Sequence, residues 1–164
     1  MSYEQENKQA LVAYFNEGAK GSKPLGALGV EVEHFVVTAE GEHPVSYAGG
    51  EGEFGVRDVL AHLADAYPRH AHGLEGDLIG LASDDASITL EPAAQLEISI
   101  APYSSIGQIL RVYSEFRSKV DPFLAEHGCK LVASGYHPTA RALELTLIPK
   151  QRYRFMNNYF MEIG

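Results

Sequence analysis

Residues 86–102 read ASITLEPAAQLEISIAP, and their alternation decides the fold class. Leu96, Ile98 and Ile100 fall on one side of an extended chain, and Gln95, Glu97 and Ser99 on the other. Just before them, Ile88 and Leu90 alternate with Thr89 and Glu91 in the same way, and EPAA supplies a turn. This is a hairpin with one apolar and one polar face. A third extended run, DLIGLAS at 77–83, precedes it across the acidic turn Asp84–Asp85. Strands grouped in a run and joined by hairpin-length turns predict an antiparallel sheet.

Working outward, Ala27–Thr38 is rich in Val and Phe and reads as a strand, and HPVSY at 43–47 as a short one. Helices are expected over residues 3–17, closed by Gly18; over GVRDVLAHLADAYP, ending before Pro68; and from Ser105 to His127, with Pro122 in its last turns. Ser105 and Gln108 have capping-box spacing at the start of the third, whose apolar stripe is Ile106, Ile109, Leu110, Tyr113, Phe116, Val120 and Phe123. A loop at GSKPLG, a strand from Cys129 and a final helix after Pro149 complete the series. The fold class is α+β: an antiparallel β-sheet backed by helices.

With 164 residues, 45% of them hydrophobic, the chain has enough material for one domain, taken as 1–164, and no repeat or linker divides it. Thirteen Lys and Arg against 22 Asp and Glu give a net charge of -9, which disfavours nucleic acid or anionic lipid as a partner. No apolar run approaches membrane-helix length, and the single Cys129 forms no internal disulfide. The polar, acidic start MSYEQENKQ lacks the order of a signal peptide, so the expected compartment is the cytosol.

The charge is unevenly placed. From Pro24 to Val56, and again from His70 to Leu110, six acids occur without a single Lys or Arg, whereas Arg111–Arg154 holds eight of the 13 basic residues. On the strand at 30–37, Glu31, Glu33, Phe35 and Val37 share a face. Two carboxylates side by side, about 6 to 7 Å apart at the backbone, repel unless a cation joins them. If this strand neighbours the hairpin, Glu31, Glu33, Glu97 and Glu91 come onto one surface. A solvated polar sheet face and a site for a hard divalent ion remain equal readings at this stage. No His spacing suits zinc, and His34 falls on the opposite face. At the other end, Lys150, Arg152 and Arg154 crowd a helix start, where the dipole disfavours them. They belong either to a surface helix whose aromatics form a core stripe or to a site for an anionic ligand.

Three segments together resemble the glutamate-cysteine ligases of the plant and bacterial type. LGVEVEHFVV at 28–37 is similar to the family's G-x-E-x-E-x-F strand, ITLEPAAQLEISIAP at 88–102 to its L-E-P-G-G-Q-x-E-x-S-x-A-P hairpin, and LIPKQRYRFMNNYF at 147–160 to its P-K-x-R-Y-x-x-M-x-x-Y segment. The resemblance implies a glutamine-synthetase-like fold with a metal-bearing sheet wall. It implies Glu31, Glu33 and Glu97 as ligands of Mg²⁺ or Mn²⁺, Gln95 on the same wall as a substrate contact, and Arg152 as the catalytic cation. It further implies substrate contacts from Tyr153 and Tyr159, and ATP contact from Lys150. The implied reaction joins glutamate, activated by ATP as the γ-acyl phosphate, to the amine of cysteine; a different amine, or a binding module without chemistry, are the alternatives. Family members are usually more than twice as long, which implies an N-terminal portion, inactive alone and open to self-association where the remainder would pack. Two departures stand out. Ala93 and Ala94 replace the usual glycines, and Asn157 replaces a residue that is often charged.

Overall fold

The computed structural model describes residues 2–19, 26–50 and 52–163. Helix α1 spans Tyr3–Gly18, strand β1 Leu28–Thr38 and helix α2 Val56–Leu63. Four strands follow, β2 (Arg69–His72), β3 (Leu78–Ala82), β4 (Ala86–Leu90) and β5 (Leu96–Tyr103). Helix α3 (Ile106–Glu126), strand β6 (Cys129–Val132) and helix α4 (Gln151–Ile163) complete the chain. The strands form one antiparallel sheet in the order β2-β3-β4-β5-β1-β6. The expected α+β architecture is therefore present. Most of the expected GSKPLG loop lies outside the described residues.

Register follows from the apolar alternation. Val30, Val32 and His34 of β1 lie opposite Ile100, Ile98 and Leu96 of β5, and Ile98 and Leu96 lie opposite Ile88 and Leu90 of β4. A slip of one residue would carry every one of these side chains to the other face. α2 and α3 cover this face with Val56, Val59, Leu60 and Leu63, and with Ile109, Val112, Phe116, Val120 and Leu124, all buried. Residues at i, i+3, i+4 and i+7 give each helix its buried stripe. Gly49, at φ 68°, shapes the loop before α2, where an added Cβ would stand 2.5 Å from the carbonyls of Glu53 and Phe54.

Several local expectations are corrected. HPVSY forms only one isolated bridge, Val37 with Pro44, closed by the Thr38 amide on His43 O at 2.9 Å and the Val45 amide on Val36 O at 3.1 Å. RHAH, which carries no apolar alternation, pairs as β2 because β3 offers it an edge. Ser105 makes no side-chain cap; its carbonyl instead accepts from the amides of Gln108 and Ile109. A 3-10 turn at Ala142–Glu144 was not expected. In α3, Ile106 and Leu110 are exposed and the stripe runs through Ile109 and Val112.

The β4–β5 turn keeps the left-handed step that glycine usually supplies, since Ala94 has φ 64° and is buried. Its amide donates to Glu91 O at 3.0 Å and the Glu91 amide to Gln95 O at 3.0 Å, the pattern of a three-residue hairpin loop with a G1 bulge. Ala94→Gly relieves about 1–2 kcal/mol of left-handed strain but loses about 0.4–1 kcal/mol through chain entropy and about 0.8 kcal/mol of methyl burial, so near-neutrality is expected. Ala94→Val adds a β-branch at positive φ and overpacks the site, at an expected cost of about 2–4 kcal/mol in urea unfolding. An unchanged midpoint for the Val variant would mean the turn is not left-handed.

Candidate functional site

Opposite the helix-covered face, the sheet presents two cross-strand rows. Thr89, Glu97 and Glu33 line up across β4, β5 and β1, and Ser87, Ser99 and Glu31 form the row beside them. Glu33 and Glu97 are direct cross-strand partners. Like charges in this position destabilise a sheet. Among the described residues, none of Glu31, Glu33, Glu91 and Glu97 has a salt-bridge partner, whereas Glu42 and Asp84 from the same cation-free windows pair with Lys130 and Arg69. Partial desolvation, and then Glu91, Glu97 and Glu31, hold the Glu33 carboxyl above its ordinary value.

Hydroxyl groups orient the wall. Thr89 Oγ1 donates to Glu97 Oε1 at 2.8 Å, and Ser99 Oγ donates to the same oxygen at 2.9 Å, with Glu31 Oε1 farther off at 3.4 Å. Both bonds fall on one oxygen of Glu97. Among the described residues nothing donates to the other. Behind the wall, a carbonyl fixes the tautomer of buried His34, since Nδ1–H must donate to Leu96 O (3.2 Å) and Nε2 then accepts from the Tyr113 hydroxyl (2.7 Å). Arg117 donates to that hydroxyl at 3.2 Å and to both oxygens of Asp121. Burial pushes the His34 pKa down, consistent with a neutral ring. This relay ties α3 to the residues adjoining Glu33 and Glu97. Strand alternation places His34 away from the acids but does not show what packs behind the strand, so its bracing role was not legible in the sequence.

The basic segment borders the wall through one buried ring. Tyr153 is the buried residue of α4, and its hydroxyl accepts from Arg152 Nη2 at 2.9 Å while facing Leu90 O at 3.3 Å and Glu91 Oε1 at 3.2 Å. Lys150 Nζ and the Arg152 guanidinium carbon stand 4.9 and 4.8 Å from the ring centroid. Burial, then Arg152, push the Lys150 pKa down, while Glu91 and Glu97 pull it back up. Glu91 and Glu97 act on Arg152 too. Cations and carboxylates therefore border one another across the β4–β5 turn. Of the two readings of this segment, the aromatic core stripe is absent: Phe155, Met156, Tyr159 and Phe160 are exposed.

The residues singled out from sequence are distributed as follows. Glu31, Glu33 and Glu97 share the wall, and Glu91 joins them; its alternation with Thr89 was the available signal. Gln95 borders it, but Gln95 Oε1 accepts from the Ala93 amide at 2.9 Å, so the side chain braces the turn. Tyr153 is a clamp rather than an open contact, because its ring is buried and its hydroxyl engaged. Tyr159 is exposed, packs on Phe160, and lies about 9 Å further along the α4 axis than Tyr153, so it is not gathered with the wall. Asn157 is exposed on the same helix.

All these donors are oxygen, which suits a hard cation and not zinc. Among the described residues no three Asp, Glu, His or Cys side chains converge as a ready-made metal centre. A wall that offers one or two carboxylates to an ion, leaving its other positions to phosphate and water, matches the way Mg²⁺ is held.

Residues 27–164 match the family model described as glutamate-cysteine ligase family 2. The chain belongs to this family. It is 30% identical over 157 residues to the chloroplastic glutamate–cysteine ligase A of Oryza sativa subsp. japonica, covering 96% of this chain and 30% of that protein. Against the chloroplastic enzymes of Brassica juncea and Nicotiana tabacum the identity is 29% and 30% over 158 residues, covering 96% of this chain and 29% of each. The chain thus spans about 30% of the length of the curated relatives it matches. The cytosolic expectation is corrected, since these family relatives are named as chloroplastic; an acidic N-terminus was too weak a signal for compartment. Among the described residues no helix is long and apolar enough to cross a membrane.

Proposed function

We propose that this chain is the N-terminal, wall-bearing portion of a glutamate-cysteine ligase catalytic domain and takes part in ATP-dependent joining of glutamate to cysteine. The observation that carries the reading is Glu33 facing Glu97, flanked by Glu31 and Glu91 and bordered by Lys150 and Arg152. Glu31, Glu33 and Glu97 would hold Mg²⁺ or Mn²⁺, one or two of them on any one ion, with the free oxygen of Glu97 as one of the ligand atoms. Such an ion, when bound, neutralises phosphate oxygens. Arg152 would stabilise charge on the transferring phosphoryl group, and Lys150, beside it at the edge of the wall, would contact ATP. Gln95 would orient substrate through its free NH₂. The glutamate γ-carboxylate would take the phosphoryl group, and the cysteine amine would then displace phosphate from the acyl carbon.

Exposed apolar faces support the reading of a portion. Leu11, Tyr14 and Phe15 on α1, and Phe155, Phe160 and Met161 on α4, stand open in a chain about 30% as long as its relatives. A surface of this kind calls for a partner, and the remainder of the domain is the one proposed, with self-association in its absence.

The test is phosphate release by the product of a reading frame extending past residue 164. Release that requires ATP, glutamate and cysteine together, with kcat/KM reduced about 100-fold or more by Arg152→Ala, is expected, and none from residues 1–164 alone. Release that ignores cysteine but needs another amine would change the substrate. Release indifferent to Arg152 would remove it from the chemistry.

A further inference from the structure

The connector from β6 to α4, residues 133–150, is organised around one imidazole that the ligase reading does not use. His137 is buried, and its ring meets Phe35 edge-on with centroids 5.0 Å apart. Phe35 lies on β1 two residues beyond Glu33 and on the same sheet face. Nδ1 of His137 accepts two backbone amides, from Thr139 at 3.2 Å and from Ala140 at 3.0 Å. A nitrogen accepting two N–H groups carries no proton of its own, so the ring is the neutral Nε2–H tautomer. Nε2 is buried and, among the described residues, has no hydrogen-bond partner.

We propose that His137 is a proton-operated latch: its neutral ring gathers Thr139 and Ala140 and seats the connector against β1, and its protonation releases them. An imidazolium donates from both nitrogens. A proton on Nδ1 would confront two N–H groups that have no other acceptor in the turn, and the new charge would sit beside Phe35 and a nitrogen without an acceptor. The charged group that acts on the ring is Glu42, from the turn after β1, and it opposes release. Its carboxylate is already paired with Lys130 of β6 at 2.7 Å. Burial outweighs it and pushes the His137 pKa down.

The sign follows from the depressed value. The unfolded connector takes up the proton more readily, so the latch is closed above the ordinary histidine value of about 6.5 and opens as pH falls below it. The same connector holds Ile148, whose amide donates to Pro92 O at 3.0 Å, and leads directly into Lys150 and Arg152. Release would therefore free the turn at 137–140 under mild acid, while buried Ile148 keeps the far end of the connector on the sheet. The inference concerns this chain's own amides and does not depend on which reaction the wall serves.

The test is amide exchange at Thr139 and Ala140 as a function of pH, corrected for the intrinsic pH dependence of exchange, in wild type and His137→Asn. Wild-type protection is expected to fall roughly tenfold per pH unit once the ring begins to charge. Asn Oδ1 accepts the same two amides and does not titrate, so the variant should keep its protection at all of these pH values. Flat wild-type protection between roughly pH 7.5 and 5, or an equal fall in the Asn variant, overturns the latch. If the variant does not fold, nitrogen NMR of the wild-type imidazole decides independently: an unprotonated Nδ1 at neutral pH supports the latch, and a protonated one overturns it.

Discussion

Tyr153→Ala is expected to release α4 from the sheet. Tyr153 is the buried residue of this helix, and its hydroxyl joins Arg152 to Leu90 O and Glu91. Replacing a buried aromatic ring by Ala costs about 3–5 kcal/mol, and the rest of α4, with Phe155, Tyr159 and Phe160 exposed, has little to offset it. Release should appear locally, because α2 and α3 hold the main core without α4. Trypsin cleavage after Arg152 and Arg154 should quicken at least about 100-fold, the ratio that ~3 kcal/mol represents, while the midpoint of global unfolding moves little. Tyr153→Phe keeps the ring between its two cations and loses only the hydroxyl, for an expected ~1–1.5 kcal/mol. Equal cleavage of wild type and Tyr153→Ala would show that α4 is held by something other than this clamp.

Glu33→Gln should make the chain more stable and at the same time weaken its hold on divalent ions. The carboxyl of Glu33 is raised above its ordinary value by partial desolvation and by Glu91, Glu97 and Glu31. A carboxyl whose folded pKa is raised stabilises the fold when protonated and loses that contribution as pH rises through the folded value. Wild type and variant should therefore agree in acid and separate above that value, with the variant the more stable by a few tenths of a kcal/mol, since the group is exposed and screened. Mn²⁺ should raise the thermal midpoint of wild type at constant ionic strength, by mass action on the folded state. Its affinity for Glu33→Gln should be weaker by at least about tenfold, the lower end of what even outer-shell changes cost. Calorimetry giving the same Mn²⁺ affinity for both proteins would remove Glu33 from the ligand set.

The alternation in residues 86–102 carried both the hairpin and its two faces, and the structure pairs Thr89 with Glu97 across the hairpin as that alternation required. Glu31 and Glu33 were legible because a strand's period leaves two adjacent carboxylates no choice of face. Three other features were hidden. RHAH has no period of its own and became β2 only because β3 presented an edge. The aromatics of α4 repeat at helical spacing, which signals an apolar face but not whether anything covers it. The resemblance implied Tyr153 and Gln95 as substrate contacts, yet Tyr153 is taken up in clamping α4 and Gln95 Oε1 in holding the turn.

By itself, the sequence determined the antiparallel α+β class, the faces of the strands and the cation-free windows that hold the wall acids, because periodicity and local charge are properties of neighbours along the chain. Only the tertiary structure decided that Glu33 meets Glu97, that His34 braces them through Tyr113, and that His137 packs on Phe35. Each of these depends on register and packing, where a hydrogen bond is set by three-dimensional approach and leaves no mark in local spacing.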